Sequence, residues 1–98
     1  MNTALYYTYY TLRSRADGNY LAAQPDPDAT QRYLLLFPEH YDALSYLNTH
    51  AQAAASKFSV ESIGKSQIRG ILDRWQYQGI GMVQDPLIPR IEFMSLAG

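Results

Sequence analysis

The sequence predicts an α+β fold: a mixed sheet with two helices on one face, its elements in the order ββ-βα-βα-ββ. Three observations predict it. Residues 58–63 (FSVESI) alternate apolar and polar, the period of a half-buried strand. Ile68, Ile71, Leu72 and Trp75 recur at i, i+3, i+4 and i+7, one face of a helix. Residues 32–37 (RYLLLF) form a continuous apolar run between breakers, as in a central strand buried on both faces, and a second helical pattern follows at once. Two strand-then-helix units behind an N-terminal hairpin indicate helices layered on a mixed sheet.

Each element has a local reason. Residues 4–13 (ALYYTYYTLR) are rich in Tyr and Thr, which favour strands. In such a strand Leu5, Tyr7, Tyr9 and Thr11 point one way, and Tyr6, Thr8, Tyr10 and Leu12 the other. Either both faces are covered, or one tyrosine row meets solvent or a partner. Asp17-Gly18 is a two-residue hairpin signal, after which residues 19–23 pair back on the first strand. Pro25, Asp26, Pro27 and Asp28 make residues 24–30 a loop. Pro38 suits a helix's first turn, and Glu39 and Asp42 complement its dipole. Ala43, Leu44, Leu47 and Ala51 form that helix's apolar stripe, and alanines carry it on through residue 55. Ser66 stands where an N-cap belongs, with Arg69 where a capping box would want Glu or Gln, and Gly79 is placed to stop the second helix. Residues 80–83 (IGMV) and the alternating residues 90–96 (RIEFMSL) are the last two strands, on either side of a stiff Pro86 to Pro89 loop.

Ninety-eight residues make a single domain, residues 1–98, large enough for an independent core. Charged residues are 17% of the chain, below the ~25% usual for globular proteins, so nine tyrosines must cover part of the surface. A net charge of −1 argues against a nucleic-acid partner and against a basic membrane-surface patch. With no cysteine there is no disulfide frame, thiolate nucleophile or zinc knuckle. No apolar run approaches the ~18 residues of a membrane span, so no membrane insertion is expected. The first residues lack the basic and apolar regions of a signal peptide, which reads as a soluble, cytoplasmic protein.

The motifs that carry chemistry elsewhere are incomplete. His40 and His50, ten residues apart, fall on different faces of one helix and do not form an i, i+4 metal pair. Asp26, Asp28, Glu39 and Asp42 lack the spacing and glycine turn of a calcium loop. Gly79-Ile80-Gly81 follows a helix, where a dinucleotide fingerprint would precede one. Gly64, Lys65 and Ser66 end like a phosphate-binding loop, but Ser59 occupies the position of its upstream glycine. A capped helix is the plain reading of that triad; an anion held by the helix amides and Lys65 is the alternative. Tyr6, Tyr7, Tyr9 and Tyr10 have the aromatic content of an RNA platform without its flanking cations, since only Arg13 and Arg15 lie near.

Residues 33–47 (YLLLFPEHYDALSYL), with Ile68, Leu72, Tyr77, Gly79, Ile80 and Asp85-Pro86, resemble the SseB N-terminal-like domains, whose closing pair is more often Asn-Pro. The resemblance covers roughly residues 32–93, and small cyanobacterial α+β proteins share the element order. It implies a compact binding or accessory module without established enzymatic activity, and its matching positions are scaffold ones.

Function is therefore expected to be a non-enzymatic contact with another protein or with itself, as a homodimer or a small subunit of a larger complex, with no cofactor. Its candidate residues are Tyr6, Tyr7, Tyr9, Tyr10, Leu87 and Ile88, with Tyr77 as an exposed contact beyond the helical stripe and Trp75 as core. The alternative is a small-ligand or anion-binding regulatory domain at Gly64, Lys65 and Ser66.

Overall fold

A computed structural model describes residues 8–88 and 90–95. Its strands are β1 (Thr8–Ser14), β2 (Ala22–Ala23), β3 (Tyr33–Leu36), β4 (Phe58–Gly64), β5 (Gly79–Asp85) and β6 (Arg90–Ser95). Helix α1 (His40–His50) and a 3-10 helix (Gln52–Lys57) lie between β3 and β4, and α2 (Lys65–Trp75) lies between β4 and β5. The α+β class and the element order are those the sequence predicts.

Strands β2-β3-β5-β6 form one hydrogen-bonded ladder and β1-β4 another. The two meet at Tyr10 and Phe37, which exchange amide-to-carbonyl bonds of 2.9 and 2.8 Å. Strand β1 therefore lies between β4 and the end of β3. Strand β3 runs parallel to β5. Because β1 is antiparallel both to β4 and to the chain at Phe37, β4 shares the direction of β3 and β5.

The predicted N-terminal hairpin forms in part. Ser14 donates to the Asn19 carbonyl and Leu21 to the Leu12 carbonyl, but β2 then pairs with β3, Ala22 opposite Leu34 and Ala23 opposite Tyr33. The loop is wider than two residues, because the Gly18 amide bonds back to the Ser14 carbonyl and the Arg13 guanidinium to the Gly18 carbonyl. Leu21 is the stitch: its amide bonds to Leu12 of β1, and its carbonyl accepts from Leu35 of β3.

The helices do not share a face, which corrects one part of the expected architecture. Leu34, Leu36, Ile63 and Ile80 bury against Ile68 and Leu72 of α2. Leu12, Leu35, Phe37 and Val83 bury against Ala43 and Leu47 of α1. Neighbouring residues of a strand point to opposite sides, so α1 and α2 cover opposite faces. The reason is strand order. The chain crosses from β3 outward past β1 to β4 over α1, then back past β1 and β3 to β5 over α2. Crossovers of one hand that travel in opposite directions place their helices on opposite faces.

Local boundaries also moved. Helix α1 stops at His50, and the alanine-rich residues after it form the 3-10 helix, none of whose residues is buried. Helix propensity without an apolar face to bury does not extend a helix. The buried stripe of α1 is Ala43 and Leu47, with Tyr46 and Ala51 half-buried beside them, and Leu44 is exposed. The N-cap of α2 is Gly64, not Ser66, and Gln67 at the third helical position reaches back to accept from the Gly64 amide at 2.7 Å. Gln76, at φ 58°, supplies the left-handed stop expected of Gly79. Gly79 is needed for a different reason: a Cβ there would collide with the Met94 carbonyl oxygen of β6.

Candidate functional site

The tyrosines proposed as a contact row are divided between the two cores. Tyr9 packs with the α2-side cluster and Tyr10 with the α1-side cluster, where His40 meets its ring edge-on at 5.7 Å. Strand β1 is paired along both edges, by β4 and by the chain at Phe37, and Tyr9 and Tyr10 are each half-buried on opposite faces. Tyr6 and Tyr7 lie outside the described residues.

Tyr77 is a correction. It is 7% exposed and belongs to the α2-side core. The left-handed Gln76 folds the chain back beneath α2, and the Tyr77 amide bonds to the Leu72 carbonyl at 2.9 Å. Its hydroxyl donates, at a long 3.5 Å, to the Tyr20 carbonyl, and the Arg32 guanidinium lies 5.2 Å over its ring. Burial raises the Tyr77 pKa, and the Arg32 charge opposes that rise. Trp75 is half-buried against the same core, with Tyr20 edge-on to it at 5.7 Å.

Leu87 and Ile88 meet the opposite condition. They are 61% and 65% exposed at the turn between β5 and β6. Their backbone is nonetheless fastened. The Asp85 carboxylate accepts from the Leu87 amide at 3.0 Å and from the Ile88 amide at 3.4 Å. The same Asp85 follows a register shift that bends β5. From α1, the His50 ring nitrogen Nε2 lies 2.8 Å from the Pro86 carbonyl. A carbonyl only accepts, so Nε2 carries the hydrogen and donates. Tyr46, one helical turn before His50, holds that ring at 5.0 Å between centroids. The turn is thus an apolar pair on a backbone tied both within its own hairpin and to α1. The exposure of Leu87 and Ile88 was readable from the proline-bounded loop. The hydrogen bonds of His50 and Asp85 to that turn had no local sequence signal, because they depend on contacts across the fold and within the turn.

Gly64, Lys65 and Ser66 stand together at the start of α2. Gln67 already takes the Gly64 amide, as described above, so that amide is not available to a second acceptor. Beside this helix start lies an open, largely apolar groove of about 290 Å³, lined by Tyr9, Ile68, Ile80, Met82 and Met94 together with Lys65 and Arg69. Asp26 accepts from the Asp28 amide at 3.0 Å, a turn role. Among the described residues, no three His, Asp or Glu side chains group as metal ligands, and no helix is long and apolar enough to cross a membrane.

Compared with protein-family models, with curated proteins and with solved structures, the chain matches none.

Proposed function

We propose that this chain is a non-enzymatic protein-interaction module whose contact is built on Leu87 and Ile88. The observation that carries the reading is an exposed apolar pair on a backbone held by Asp85 and His50. An apolar contact gains from burial, and a backbone already fixed loses little further freedom when a partner covers it. Binding energy concentrates in a few such anchors. Tyr41 and Leu44, also exposed, add apolar surface on α1, the helix that reaches the turn through His50. The partner is another protein or a second copy of this chain, as in an accessory subunit. The resemblance to SseB N-terminal-like domains implies the same class of role, and the reading does not depend on it.

The test is capture from native lysate together with mass in solution, for the natural chain and for the paired substitutions Leu87→Ser and Ile88→Ser. Loss of the captured species, or of a dimer, at an unchanged melting temperature supports the reading. Equal capture and equal mass by both chains overturns it. The groove beside Lys65 favours a second reading, a small ligand with an anionic group at the start of α2. Amide shifts at Gly64, Lys65 and Ser66 on titration with inorganic phosphate test it; their absence at millimolar phosphate removes it.

A further inference from the structure

At the end of β3 where Arg32 enters the sheet lies an open cavity of about 350 Å³, within the lower range of small-ligand sites. Two charged side chains line it, and they have opposite signs: Asp17 and Arg32. Asp17 is built in. Its carboxylate accepts from the Asn19 amide at 2.9 Å, and this bond, with that to the Ser14 side chain, holds its pKa below the ordinary value. It is therefore an ionised carboxylate at neutral pH. Arg32 is oriented by its stack on Tyr77, and the ion pair formed among the described residues joins Arg13 to Glu61, leaving Arg32 without one. Leu21 and Phe58, both packed toward the α1-side core, add apolar lining to the same cavity.

A lining with one fixed anion, one oriented cation and an apolar wall selects by charge. A simple carboxylate meets the Asp17 charge, and a simple amine meets the Arg32 charge. A phosphate group, doubly charged, is disfavoured further by Asp17. A ligand bearing both an ammonium and a carboxylate satisfies both sites. We propose that this cavity binds a free α-amino acid with an apolar side chain. The carboxylate takes the Arg32 fork, the ammonium faces Asp17, and the side chain lies on the wall that Leu21 and Phe58 form. The site is separate from the Leu87 and Ile88 turn, so its failure leaves the interaction reading as it stands.

The test is a titration of the full isotope-labelled chain with L-leucine, followed by amide shifts, in parallel with N-acetyl-leucine and leucinamide. Each analogue keeps the side chain and blocks one charge. The proposal expects saturable shifts at the amides of residues 14–22 and of Arg32 with leucine, and affinity weaker by roughly tenfold or more for both analogues. Arg32→Gln and Asp17→Asn should each weaken leucine by a similar factor, with melting temperature as the check on folding. Arg32→Lys, which keeps the charge and loses the fork, should fall between. Because the analogues are tested on the natural chain, the result does not depend on any variant folding. Absence of saturable shifts at millimolar leucine overturns the proposal, as does equal binding of leucine and its blocked analogues.

Discussion

Strand β1 and the turn between β5 and β6 both carry large apolar side chains, and they meet opposite fates. Tyr9 and Tyr10 are half-buried, one against each core, because β1 is flanked by β4 and by the end of β3 and its two faces turn toward the two clusters. Leu87 and Ile88 stand in solvent at the tip of a hairpin whose outer strand, β6, ends the sheet. Composition alone would rank the tyrosines as the richer contact surface. Position reverses the ranking: a central strand spends its aromatics on the core, whereas a turn has nothing to pack them against. The comparison also separates exposure from mobility, because the exposed pair is fastened by Asp85 and His50.

The comparison breaks or sharpens under four measurements. The largest effect is expected at the junction of the two ladders: Phe37→Ala should cost about 3–5 kcal/mol in denaturant unfolding, as for a fully buried aromatic. Next, Tyr10→Ala should cost about 1–3 kcal/mol for its half-buried ring, while Ile88→Ser should stay within about 0.5 kcal/mol. Equal costs at those two positions would remove the distinction between core tyrosine and surface turn. Third, His50→Ala should cost about 1 kcal/mol and speed hydrogen exchange at Leu87 and Ile88; unchanged exchange would mean that Asp85 alone fixes the turn. The smallest effect is alkaline. The folded-state pKa of Tyr77 is raised by burial, so its contribution to stability is complete below the ordinary tyrosine value of about 10 and is lost as pH rises through the higher folded value. Tyr77→Phe should flatten that part of the pH-stability curve; an unaltered alkaline slope would place the effect at Tyr46, whose pKa burial also raises.

Much of the fold was legible in the chain because its signals are local. The apolar run of residues 32–37, the stripe at Ile68, Leu72 and Trp75, and the alternation of residues 58–63 each demanded one element type, and each element formed. Caps were less legible. Gly64 took the place assigned to Ser66, with Gln67 reaching back to its amide, and Gln76 took the place assigned to Gly79, whose missing Cβ instead leaves room for the Met94 carbonyl of β6. Of the candidate contacts, Leu87 and Ile88 were readable from two flanking prolines. Tyr77 was misplaced because no local pattern shows that the chain folds back beneath α2.

The sequence by itself determined the α+β class, the order of strands and helices and the apolar face of α2, since periodicity and breakers act over a few residues. Tertiary structure decided the rest. Placing β4 beyond β1 sent the two crossovers in opposite directions and put the helices on opposite faces. That arrangement half-buried Tyr9 and Tyr10 and left Leu87 and Ile88 outside. It also brought His50 to Pro86 and set Asp17 and Arg32 around one cavity, pairings between residues distant in sequence that local propensity does not encode.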